Sequence, residues 1–139
     1  MVNSSQKAAK LYLVNKVRLM TMILSLQFVV GMILNTMGQP DSSTKHSINV
    51  LWHYILILHI IIGISLLAIA AVIVVFSVKH YKQLTVPMAL AAVFIVLAII
   101  FGSLTANHFH AELMSFFMAL CFLATISVYG IALGKIADY

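Results

Sequence analysis

Charge is what this sequence has least of. Three acidic and eight basic residues make up only 8% of a 139-residue chain in which 63% of residues are hydrophobic. A soluble domain carries about 25% charged residues, and a small one leaves much of its surface in water. A soluble enzyme is therefore excluded. So is a disordered chain, which needs low hydrophobicity and many charges. The single cysteine, Cys121, excludes an intrachain disulfide framework and any cysteine-only metal site. It reads as a small core residue. Proline occurs only twice: Pro40 sits among turn formers, and Pro87 falls where a helix begins. Solenoid-type repeats are absent.

What remains is an all-α integral membrane protein. The sparse charges fence off uncharged stretches of 22, 33, 29 and 22 residues, ending at Asp41, Lys79, Glu112 and Lys135. Each is long enough for a transmembrane helix, which needs about 20 apolar residues. Helices are expected over about 18–37, 49–78, 84–105 and 109–134. The N-terminal basic residues and apolar run have the look of a signal peptide. No small-x-small cleavage site follows at Asn35, Thr36, Met37 or Gly38, so a retained helix is expected.

Lys7, Lys10, Lys16, Arg18, Lys79, Lys82 and Lys135 fall on one side of these spans, and Lys45 alone on the other. The positive-inside rule then places both termini in the cytoplasm. The net charge of +5 becomes an orientation signal, and no nucleic-acid partner is expected. Short connections at 79–83 and about 106–108 imply antiparallel neighbours. The expectation is one domain, 1–139, folded as an up-down four-helix bundle. Trp52 and Tyr54 suit its outer interface, and Tyr12, Tyr81 and Tyr129 its inner one.

Polar and small residues recur at helical spacing. Gln27, Gly31 and Asn35 share a face of the first helix; His59, Gly63, Leu66 and Ala70 line the second; Ala91, Ala98, Gly102 and Thr105 line the third. Small residues alone signify close packing. The histidines carry more: five of the six (His46, His53, His59, His108, His110) gather toward the outer end. Helices 2 and 4 are diagonal in an up-down bundle, so their side chains can meet across its core. That geometry suits a planar cofactor with an imidazole on each face of its metal, and imidazole is a standard axial ligand of haem iron. At 100° per residue His53 and His59 point about 120° apart, and His108 and His110 nearly oppositely. His59, with Gly63 one turn deeper leaving room for a macrocycle, is the favoured ligand on helix 2, and His110 on helix 4. His53 and His108 are candidates for the propionate end, where His108 and Glu112, four apart, also form a candidate pair.

Taken in order, Gln27-x3-Gly31-x3-Asn35, then His59-x3-Gly63, then His110 opening the fourth helix, the sequence resembles one half of the haem A synthase family. It also resembles membrane b-type cytochromes more widely. The resemblance spans roughly 18–134. It implies haem b held between His59 and His110 near the outer face, with Gly63, Gln27 and Gly31 beside it, in a prokaryotic plasma membrane. Ile55 stands where that family places a glutamate one turn before the histidine, Ile60 replaces a following arginine, and the first outer loop has no cysteine pair. The likeness thus implies haem binding and electron transfer, with a quinone or membrane redox partner, and not haem A synthesis. Any catalysis would be that of a haem-dependent membrane oxidoreductase. Two alternatives stand beside it. One is a cofactor-free accessory subunit. The other is a small transporter with an outer metal or proton site from His53, His108, His110 and Glu112. A homo-oligomer is compatible with each.

Overall fold

A computed structural model of the protein describes residues 4–37, 46–106 and 110–137. The loop at 38–45, with Pro40, and His108 lie outside the described residues. Four long helices dominate: α1 (Ser4–Met37), α2 (His46–His80), α3 (Thr85–Ala106) and α4 (Ala111–Ala137). A single 3-10 turn, Lys82–Leu84, joins α2 to α3. No strand occurs among the described residues. All four helices are long and apolar enough to cross a membrane. In lipid only helices and closed barrels satisfy every backbone group internally.

Local chemistry agrees with that solvent. Pro87 is the third residue of α3, where a missing N–H breaks no helical bond. The hydroxyls of Thr21, Ser25, Thr36, Ser65, Thr105, Thr125 and Ser127 each donate to the carbonyl one turn back, at 2.8 or 2.9 Å. These bonds give the hydroxyls a partner that lipid cannot supply.

Helix α1 packs on α2 and α4, and α3 packs on α2 and α4, closing a ring of four. Gly31 meets His59, and the Tyr12 ring lies 4.8 Å from that of Phe76, so α1 and α2 run antiparallel. The Lys16 ammonium stands over the Tyr12 ring.

The buried positions alternate steps of three and four: Leu13, Val17, Met20, Leu24, Gln27 and Gly31 on α1; Leu66, Ala70, Ile73 and Ser77 on α2. Leu84, Met88, Ala91, Ile95 and Ala98 do the same from the 3-10 turn into α3, and Phe122, Thr125, Tyr129, Ala132 and Ile136 on α4, with Cys121 buried beside Phe122. This is the seam spacing of helices that interdigitate over long lengths. It explains why α1 begins well before residue 18: Leu13 extends its seam toward the N-terminus. Tyr129, expected at the inner interface, is instead fully buried, because it continues the α4 seam between Thr125 and Ala132. Cys121 is buried as expected.

Burial is also lopsided along the bundle. Beyond Gly31 on α1, before Leu66 on α2, beyond Ala98 on α3 and before Cys121 on α4, no described residue is buried. The seams are closed in one half only.

Since lipid is as apolar as a side chain, what a seam residue contributes here is packing. Leu24→Ala, at a position with no exposure, should cost about 2–5 kcal/mol through its cavity. Leu26→Ala, at a position 56% exposed, should cost far less. Reversible unfolding in mixed micelles measures both; equal losses would contradict the seam.

Candidate functional site

Four of the residues singled out by spacing come together where the closed half ends. Gln27 and Gly31 are one turn apart on the α1 seam, and His59 and Gly63 one turn apart on α2. The Gln27 side-chain Nε2 donates to the His59 carbonyl oxygen at 2.7 Å. Helical carbonyls seldom take such a bond unless the donor helix lies close, and here two glycines permit the approach. A Cβ added to Gly31 would stand 3.1 Å from His59 Cε1, so the imidazole edge rests on bare backbone. A Cβ on Gly63 would stand 3.5 Å from Gln27 Nε2, an ordinary contact. Asn35, the third member of the α1 spacing, is exposed.

The polar atoms at this level are not all satisfied. His59 Nδ1 and Gln27 Oε1 are buried without a hydrogen-bond partner; so are the indole Nε1 of Trp52, two turns outward, and Ser77 Oγ and the Tyr129 hydroxyl in the closed half. A buried polar group without a partner is costly, and a cluster of them calls for an explanation. Trp52, His59 and Leu66 follow one another at seven-residue steps, so all three lie on the inward face of α2. The expected place of Trp52 at the interface concerns its height, and the seven-residue repeat concerns its direction. The signal that places it on the seam is that repeat, which becomes readable once Leu66 is known to be buried.

Below the cluster, Phe28 and Phe122 meet edge to face at 6.3 Å between α1 and α4. Level with it, α3 and α4 approach through the stacked rings of Phe101 and Phe117, centroids 5.5 Å apart. The Met118 sulfur sits beside Gly102, 3.2 Å from where a Cβ would be. Met118 is half-buried and lies seven residues before Thr125, which is fully buried on the α4 seam.

The other candidates are dispersed. His53 is exposed; its Nδ1–H donates to the Asn49 carbonyl at 2.8 Å, and its ring stands edge-on to Trp52. His110 is exposed and precedes α4 instead of opening it. Its φ of 44° lies in the left-handed region, and its carbonyl accepts from the Met114 N–H. A left-handed residue cannot continue into a helix, so α4 begins at Ala111 and not at the expected 109. Glu112 is exposed one residue further on. Among the described residues, no three His, Cys, Asp or Glu side chains are grouped as metal ligands.

Register orders these groups by height. Gly31 faces His59, and Phe28, one turn inward, faces Phe122. The α4 seam continues inward from Phe122 to Ile136, so the residue of α4 level with His59 lies about one turn before Phe122, at Met118. His110 lies about 12 Å further out along the chain at 1.5 Å per residue.

No known protein family, curated protein or solved structure matches this chain. The reading of the site therefore rests on its own geometry.

Gly31→Val should force branched methyls into the His59 imidazole and separate α1 from α2 at this level. A loss of about 1–3 kcal/mol is expected for such overpacking. Gly134→Val is the control, since a Cβ there meets nothing within 4 Å. Unfolding of the two variants in the same micelles checks the claim, and indistinguishable stabilities would contradict the contact.

Proposed function

We propose that this chain is a membrane b-type haem protein working in electron transfer, with His59 as the axial imidazole supplied by α2. The observation that carries this reading is the position of His59. Its imidazole stands on the inward face of α2, with a buried, unpartnered nitrogen, where the closed half of the bundle gives way to an outer half without buried residues.

The residues present fit the group. Gly31 lets the imidazole edge rest on the α1 backbone, Gly63 admits the Gln27 amide beside it, and Phe28 and Phe122 form an apolar floor one turn inward. Imidazole orientation is commonly fixed by what holds its backbone. Here Gln27 does so by bonding the His59 carbonyl. The Trp52 N–H, buried and unpartnered on the same face two turns outward, supplies a donor for an anionic group at the outer rim. A residue of α4 would hold the group from the other side. When bound, a haem supplies one-electron chemistry, with a quinone or another membrane protein as exchange partner. The chain's own part is to hold the imidazole, exclude water through the seam, and keep the acceptor near one face of the bilayer.

The up-down topology with cytoplasmic termini belongs to the same proposal. The closed half draws on the N-terminal parts of α1 and α3 and the C-terminal parts of α2 and α4, which supports alternating directions. Seven basic residues fall toward that half. A second reading, a cofactor-free accessory subunit, is favoured by one observation: the Gln27–His59 bond also serves as a plain helix–helix clasp.

Two experiments test the proposal. Protein purified after haem-supplemented expression should be red, with a Soret band and sharpened α and β bands on reduction. His59→Ala should lose that spectrum and His53→Ala should keep it. A colourless wild type supports the clasp reading instead. For orientation, a cysteine replacing Lys82 in a Cys121→Ser background should react with an impermeant maleimide only from the cytoplasmic side. Labelling from outside overturns the topology.

A further inference from the structure

The haem reading leaves the α4 ligand to be assigned, and the inference made here rests on that reading. The sequence expectation names His110, whereas we infer that Met118 supplies the second axial ligand through its thioether sulfur.

Three observations carry this. The first is register. Met118 and His59 each stand seven residues outward of a fully buried seam residue, Thr125 on α4 and Leu66 on α2. Both therefore continue the inward face of their helix for about two turns. The contacts of α1 with His59 on one side and with Phe122 on the other put the two at one height. Axial ligands of one iron must lie at nearly one height on facing helices, and α2 and α4 are diagonal in the ring.

The second is the geometry of His110. It lies about 12 Å further out than Met118 by residue count, more than an imidazole side chain can span. It is exposed, and its left-handed backbone sets it outside α4. Bringing it level with His59 would require α4 to unwind or slide by two turns, against a seam that is closed from Cys121 to Ile136.

The third is the local surroundings of the sulfur. Met118 is half-buried, and its Sδ rests against Gly102 of α3, where the lack of a Cβ gives it room. An unbranched thioether side chain has three rotatable bonds. To serve as a ligand the sulfur would turn from that niche toward the bundle axis, a change its side-chain torsions can supply. Imidazole with thioether is an established axial pair that raises the reduction potential relative to two imidazoles.

The test uses the full chain in nanodiscs, loaded with haem during expression. Near-infrared magnetic circular dichroism of the ferric protein separates imidazole–thioether from bis-imidazole ligation. The wild type should show the thioether charge-transfer band. Met118→Leu should retain haem, lose that band and turn from low-spin to high-spin. Met118→His should regain a low-spin spectrum of bis-imidazole type at a lower potential, which also shows that the site still folds. His110→Ala should leave the ferric spin state as in the wild type. A bis-imidazole signature in the wild type, or a red, low-spin Met118→Leu, overturns the assignment while the haem reading stands. A colourless wild type overturns the haem reading, and this inference with it.

Discussion

Lipid tails are as apolar as leucine, so moving a leucine from lipid into a helix contact gains little by itself. Helices in a bilayer associate through close packing and the few polar bonds that close packing allows. The rest of this structure depends on that constraint. The seams on α1 to α4 are made of residues no more hydrophobic than those facing outward, and they hold because they interlock at steps of three and four. Where the residues are small enough, backbones approach, as at Gly31 and Gly102. There, side chains from a neighbouring helix reach backbone, and Gln27 can bond a carbonyl on α2.

The same constraint makes the change along the bundle informative. One half is sealed, from Leu13 and Ile136 at one end to Gly31 and Cys121 at the other. Beyond it the helices continue with histidine, tryptophan, phenylalanine and methionine on their inward faces, and no described residue there is buried. Unpartnered nitrogens on His59 and Trp52 lie in that second half. Unpartnered polar atoms occur in the sealed half as well, on Gln27, Ser77 and Tyr129, so what sets the second half apart is the loss of buried residues. The proposed haem would complete that half.

Much of the fold was legible from charge alone, because eleven charged residues in a lipid-like chain mark helix ends directly. The cluster of Gln27, Gly31, His59 and Gly63 was legible too, since polar residues and glycines contrast with their surroundings. Other features were hidden for a physical reason. In a soluble helix the buried face is recognised by its hydrophobicity, but here Leu24 is buried and Leu26 faces outward, and the sequence offers no contrast between them. The early start of α1, the burial of Tyr129, the inward place of Trp52 and the level of Met118 all depend on which leucines form the seam. The start of α4 was hidden too: a left-handed backbone at His110 puts it at Ala111 and not at the expected 109.

The central claim is that the outer half of the bundle is completed by a bound haem. Hydrogen exchange on the purified chain, with and without haem, reads this directly, because exchange reports local opening segment by segment. The account predicts added protection in outer α2, about 48–65, and outer α4, about 111–120, with little change over 66–77 and 121–136. Protection that is unchanged by haem throughout, or that rises equally in both halves, would contradict it.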